Sequence, residues 1–332
     1  ERTRELIHAG APRELGALAI DEPLRALLEM ETGGGARPLA VTALERIARC
    51  PFQGFASQLF GALGDDPRTD DAPDRREEGI LAHEALGAAF TAAEPFWSAR
   101  PRDRRAIEEA ARVASNAVLA RAGGALVRAS LERIRLEVDR IVSLAIEDED
   151  WDFAWAERGF GNAGDEWPAF VLEDTRGRVA LRGRIDRLDV SAQRGVANDT
   201  APTAVRAVDY KRRVSLPAIV ELGASAIQVP LYAIVARRNL AVKDARGRYL
   251  STISPAKNAT SSFEDRFAEL VEEDAAHASE VTRAALDRVH ALRAGDVAPV
   301  PTAPKWCATC GLDGACRRPR FAVTMIGREE QE

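Results

Sequence analysis

Asp209 and Lys211 stand two residues apart in AVDYKRR, residues 207–213. In an extended chain such positions share a face, so the carboxylate and the ammonium would address one site while Tyr210 points away. Asp186, in GRIDR (Gly183–Arg187), would join them from a neighbouring strand. Two carboxylates and a lysine at a sheet edge suit phosphodiester hydrolysis. The carboxylates hold Mg²⁺ through hard oxygen ligands, and the ammonium orients or deprotonates the attacking water. The lysine is informative in itself, because among 46 basic residues only Lys211, Lys243, Lys257 and Lys305 are lysines. An arginine in its place would be bulkier and could not give up its proton.

Two further motifs carry groups of the same kind. GILAH (Gly79–His83) offers an imidazole nitrogen to a metal, with a glycine one turn earlier that leaves its helix face bare. QVPLY (Gln228–Tyr232) places an amide and a phenol at i and i+4, where they could hold a phosphate or a base.

The ordered set GILAH, GRIDR, DYK and QVPLY resembles the RecB-type branch of the PD-(D/E)XK nuclease superfamily, over residues 42 to about 321. The resemblance implies an α/β, restriction-endonuclease-like core: a mixed central sheet flanked by helices, with helical insertions. It also implies that His83, Asp186, Asp209 and the backbone carbonyl of Tyr210 bind Mg²⁺ or Mn²⁺ and that Lys211 positions the water. Gln228 and Tyr232 would steady the DNA strand. Glu157, in ERGFG, looks like an acidic position that such nucleases carry before the core sheet.

Cys307, Cys310 and Cys316 form C-x2-C-x5-C, and the remaining cysteine, Cys50, lies upstream of every nuclease motif. One four-ligand site would use them all, holding zinc or an iron-sulfur cluster. Four-cysteine zinc sites usually contain two close pairs, whereas here three ligands are local and one is distant, which favours a 4Fe-4S cluster. The pattern resembles the iron-sulfur staple of AddB-type nuclease domains, in which CPF-like and C-x2-C-x5-C segments bracket the core. Such a staple would join the N- and C-terminal segments and add to folding stability.

The elements that must position these groups can be read from periodicity. Thr42 and Glu45 have capping-box spacing for a helix that should stop near Pro51. A loop is expected over 65–76, a helix from Glu77 through EEGILAHEALGAAF to Phe90, and a long helical stretch over roughly 103–149. Two strands follow in PAFVLEDTRGRVALRGRIDRLDV, with a turn at Arg176 and Gly177, and a third in AVRAVDYK. A helix around QVPLY, a strand in RYLSTIS and a long helix from about Phe263 to Arg293 complete the core.

The composition is 46% hydrophobic and 30% charged over 332 residues, with no apolar run long enough for a membrane span, so a cytoplasmic location is expected. A net charge of −6 argues against holding nucleic acid by bulk attraction. Local contacts are expected from Arg212, Arg213, Arg317 and Arg318, while the Arg100–Arg105 cluster reads equally well as solvated surface. The chain begins at Glu1 and reads as a piece of a longer one: a connector over 1–41, the nuclease domain over 42–322 and a tail over 323–332. It contains no G-x-x-x-x-G-K-[ST] phosphate loop, so unwinding would come from a helicase region or a partner subunit. The expected function is Mg²⁺-dependent cleavage of DNA, exonucleolytic on single strands, in double-strand-break repair and recombination. Two rivals are a free-standing iron-sulfur exonuclease of the CRISPR-adaptation type and a noncatalytic module that guides single-stranded DNA. Intact His83, Asp186, Asp209 and Lys211 weigh against the second rival, because paired carboxylates repel phosphate unless a cation intervenes.

Overall fold

The computed structural model describes residues 20–61, 75–99, 101–122, 128–191, 202–212, 224–253, 260–262, 280–308 and 310–316. Arg213, Arg317 and Arg318 lie outside these residues, as do most of the expected 65–76 loop and the 263–279 part of the long C-terminal helix.

Helix α1 (Glu22–Glu31) starts at Asp21, whose carboxylate accepts the Leu24 N–H at 2.9 Å. A two-residue strand, β1 (Leu39–Ala40), runs directly into α2 (Val41–Arg49), and α3 (Pro51–Leu59) follows. Cys50 is the extended residue between these two helices, and Pro51 opens the second, where a missing N–H is harmless. The expected capping box is not used. Pairing of β1 with the sheet fixes Ala40 as the N-cap, so the helix starts before Thr42 can cap it, and Glu45 is buried in contacts elsewhere. Within the span expected to be a connector, Leu28 and Leu39 belong to the same buried core as the sheet.

Helix α4 (Arg75–Ala93), a 3-10 turn (Glu94–Phe96), α5 (Arg104–Arg121) and α6 (Arg128–Glu147) come next. The expected stretch over 103–149 is therefore two described helices. Arg102 is an internal staple rather than a free surface charge. Its guanidinium donates to the carbonyls of Ala145, Ile146 and Asp148 at 3.2, 2.9 and 3.0 Å, which satisfies acceptors left open at the end of α6.

The sheet is mixed. It comprises β1, β2 (Trp151–Phe160), β3 (Phe170–Asp174), β4 (Gly177–Ser191), β5 (Ala204–Lys211), β6 (Asp244–Ser251) and β7 (Thr260–Ser262). Between β5 and β6 lies α7 (Gln228–Leu240); α8 (Glu280–Arg293) and the single turns α9 (Lys305–Ala308) and α10 (Asp313–Cys316) end the described chain. The 15-residue β4 is the hub, parallel to β1 and antiparallel to β2, β3 and β5. Its hairpin with β3 closes one residue earlier than expected, because the ladder ends at Asp174↔Gly177. The Asp174 carboxylate accepts the Arg176 N–H at 2.8 Å and so stabilises that turn.

Both faces of the sheet are covered. Val205 and Ala207 of β5 pack with α1, α2, α7 and α8, while Val208 and Tyr210 pack with α4, α5 and α6. This two-sided burial explains why AVRAVDYK is a nearly continuous buried run rather than an alternation of apolar and polar residues.

Candidate active site

The β4–β5 ladder ends at Arg187↔Val208. The next rung would set Asp186 opposite Asp209, two carboxylates face to face, and there the strands no longer pair. Instead Asp186 accepts the Tyr210 backbone N–H at 2.8 Å. On the other side of β4, the pairs Ala156↔Arg187 and Arg158↔Ile185 place Glu157 opposite Asp186. Three adjacent strands therefore bring one acid each to the same level of the sheet, where β4 and β5 part, and in the parallel β6 ladder Asp209 pairs with Tyr249. Adjacent strands lie about 4.8 Å apart, so these carboxylates are close neighbours.

His83 reaches the rung from α4. Its Nδ1 is 3.5 Å from Asp186 Oδ2, and its ring meets that of Tyr210 edge-on, with centroids 5.9 Å apart. Gly87, one turn further along α4, leaves room for Glu157, since a Cβ there would stand 3.3 Å from the Glu157 side chain. Glu157 itself has a left-handed backbone with φ of 53°, a conformation that costs energy outside glycine. Potential ligand atoms of His83, Glu157 and Asp186 all lie within 4.8 Å of one another.

Lys211 Nζ lies 2.6 Å from Asp209 Oδ2, donates to Gln228 Oε1 at 3.1 Å and sits 5.6 Å from the Tyr249 ring centre. Behind it, the Gln228 amide donates to the Tyr232 hydroxyl at 3.4 Å. Gln228 and Tyr232 are both buried, so they form the wall behind Lys211 rather than an open strand-binding surface. Gly183 admits that wall: a Cβ there would come within 2.9 Å of both the Phe160 and Tyr232 rings. Gly183→Ala is expected to destabilise the fold by about 1–3 kcal/mol in urea titration, the usual range for overpacking.

The electrostatics are those of a site short of positive charge. Burial, and then the repulsion of Asp186, pushes Glu157 up to about 7. Burial also raises Asp209, with the Lys211 ammonium pulling against it. Burial alone would lower His83, but its bond to Asp186 and the charges of Asp209 and Glu157 outweigh that and push it up to about 9. Lys211 is likewise raised, because Asp209 and Glu45 outweigh its burial. Its ion pair with Asp209 favours the ammonium form.

The donor set, an imidazole nitrogen among hard carboxylate oxygens, fits a divalent cation. Removing one repelling charge should then act in opposite directions with and without the ion. Glu157→Gln is expected to raise the Tm of EDTA-treated protein and to shrink the further rise on adding Mn²⁺. That increment is about 2.7 kcal/mol at one hundred times Kd in a competent site. An unchanged Mn²⁺ increment in thermal melts of Glu157→Gln would remove Glu157 from the site.

Other expected residues are placed differently. Arg212 is held between Glu78 and Glu137, with hydrogen bonds of 2.8 Å to the first and of 2.8 and 3.1 Å to the second, so its guanidinium is committed inside the protein. Tyr210 offers its amide to Asp186, and its phenol accepts from Arg187 at 3.3 Å. No disulfide joins the cysteines. Burial raises the Cys50 thiol, and Cys310 and Cys316 are close enough to raise it further, so these three are neighbours across the chain. Sequence reasoning passed over β2 and so gave no structural basis for Glu157; it also assigned Glu45 to a local cap.

A family model described as the PD-(D/E)XK nuclease superfamily matches residues 38–317. The chain belongs to that superfamily, whose members are nucleases that use divalent metal ions. No curated protein sequence matches it. Among solved structures, the crystal structure of SSO0001 is similar with a TM-score of 0.36 and 14% identity, over 96% of this chain and 97% of that one.

Proposed function

We propose that the chain is a Mg²⁺- or Mn²⁺-dependent DNA nuclease of the RecB type, exonucleolytic on single strands, that serves double-strand-break repair and recombination as the nuclease part of an AddB-like helicase-nuclease. The observation that carries the reading is the row of carboxylates across three strands with a lysine ion-paired at one end. A cation-free scaffold has no physical reason to bury such a row, since each acid raises the cost of ionising its neighbour.

In this reading His83, Asp186, Asp209 and the Tyr210 carbonyl hold the cation, with Glu157 beside them. A bound divalent cation supplies charge neutralisation and Lewis acidity toward the scissile phosphate. Lys211 holds the attacking water through its ammonium, in an orientation fixed by Asp209 and Gln228. Tyr232 keeps Gln228 in place. Arg213, Arg317 and Arg318 supply phosphate contacts. Cys50, Cys307, Cys310 and Cys316 would hold a 4Fe-4S staple, with zinc as the alternative. The domain runs over 42–322 between a connector and a tail, the location is cytoplasmic, and the partner is a helicase region or subunit that feeds a single strand.

The test is cleavage of linear and circular single-stranded DNA by anaerobically purified protein with Mg²⁺, with the visible spectrum of the same sample recorded. Activity on linear DNA alone, in a brown protein that turns colourless in Cys50→Ser, is the expected result. Cutting of circles would replace exonuclease by endonuclease. A colourless, zinc-loaded and active protein would remove the cluster, and a protein that binds DNA without cutting it under any divalent ion would favour the guiding module.

A further inference from the structure

Glu45 does not serve its own helix. Its Oε2 accepts the backbone N–H groups of Ile227 and Gln228, both at 3.1 Å, and its Oε1 is ion-paired with Arg49. Ile227 is the N-cap of α7, and an isoleucine side chain has nothing to offer the open N–H groups of a helix start. The next N–H, that of Val229, goes to the Tyr249 hydroxyl at 3.3 Å. The first turn of α7 is therefore pinned by two side chains from distant parts of the chain. Arg49 is fixed in turn, since its guanidinium lies 4.2 Å from the Trp306 ring centre and its carbonyl accepts the Thr302 N–H at 2.9 Å.

The first side chain of the helix so pinned is Gln228, whose Oε1 accepts from Lys211. Tyr249, the other pin, lies under the Lys211 ammonium. Of the groups that touch Lys211, Gln228 thus depends on where α7 begins, whereas Asp209 and Tyr249 are placed by the β5–β6 ladder.

We propose that Glu45 is a positioning residue of the nuclease site: by fixing the first turn of α7 it sets Gln228, and through Gln228 it sets the Lys211 ammonium beside Asp209. The effect on catalysis rests on the nuclease reading above; the effect on Lys211 does not. If the Glu45 carboxylate only stabilised a helix, its removal would leave the contacts of Lys211 with Asp209 and Gln228 as they are.

The presence of only four lysines makes this measurable residue by residue. The full chain and its Glu45→Ala and Glu45→Gln variants would be acetylated with an N-hydroxysuccinimide ester. Labelling at each lysine would be read by peptide mass spectrometry, with exposed Lys243 as the internal reference. Glu45→Ala is expected to label Lys211 about tenfold faster relative to Lys243, the scale of one lost charge-assisted hydrogen bond. On single-stranded DNA its kcat should fall on the order of 10²-fold with KM nearly unchanged, as expected for a misplaced catalytic group. Glu45→Gln, whose amide oxygen still accepts the two N–H groups, should recover most of both. An unchanged Lys211 to Lys243 ratio in folded Glu45→Ala overturns the proposal. If that variant does not fold, Glu45→Asp decides: it keeps the charge but its carboxylate falls one methylene short of the two N–H groups, so the ratio should rise, and no rise overturns the proposal. If the wild type cuts no DNA while the labelling shifts as described, the positioning role stands and the nuclease reading falls.

Discussion

Lys211→Arg is expected to lower kcat for Mg²⁺-dependent cleavage by about 10²–10⁴-fold, a loss as deep as that of Asp209→Ala, with DNA binding retained. The pocket explains why the conservative change fails. The ammonium is held at 2.6 Å by Asp209, at 3.1 Å by Gln228 and above the buried Tyr249 ring, in a slot shaped for a point charge on a thin stem. A planar guanidinium carries its donors in a fixed fork, and Gln228 and Tyr232 have little room to retreat, both being buried and Tyr232 packed against Gly183. Cleavage kinetics, together with DNA binding measured in Ca²⁺, would separate the two effects. An arginine variant within a few-fold of wild type would remove Lys211 from the chemistry.

Asp189→Ala is expected to have the largest effect on stability, about 3–5 kcal/mol, the range for removing one partner from a buried ion pair. Asp189 lies between two arginines that are themselves buried, Arg187 at 2.9 Å and Arg206 at 2.8 Å. Without it Arg187 keeps the Tyr210 hydroxyl and the Phe90 ring as neighbours, neither of which neutralises a charge. Arg206 retains Asp148, at 2.7 Å. Burial works to raise Asp148, but Arg206 and Arg248 outweigh it and hold its carboxyl below the ordinary range. A carboxyl lowered in the folded state adds stability that is present above its unfolded value, about 3.9, and is lost as the pH falls through the folded value. Urea titrations of wild type and Asp189→Ala at neutral pH would check the magnitude; a loss under about 1 kcal/mol would mean that the arginines find water or other partners.

The legible part of this molecule was the part whose chemistry is local. The bounds of β5 follow from AVRAVDYK because its two Ala-Val pairs and tyrosine lie between a polar loop and a basic cluster, and D-x-K within it fixes which side chains share a face. What was not legible depends on pairing between distant segments. WDFAWAERGF mixes aromatic, alanine and charged residues without a clean alternation, and β2 is itself irregular between Phe153 and Trp155, so neither the strand nor the place of Glu157 in the rung could be read. T-x-x-E spacing before an apolar run looks the same whether Glu45 caps its own helix or one 182 residues away. Arg212 read as a phosphate contact because its acidic partners, Glu137 and Glu78, lie 75 and 134 residues upstream.

The hub position of β4 sets how tolerant the site can be of changes in length. Its register is fixed by four partner strands at once, and Asp186 lies within that clamped run. A single-residue insertion or deletion upstream of Asp186 within β4 would turn that carboxylate to the opposite face, and no adjustment of neighbouring loops could turn it back. Loops around this fold are free to lengthen or shorten from one descendant sequence to another, while the fifteen positions of β4 can change only by substitution.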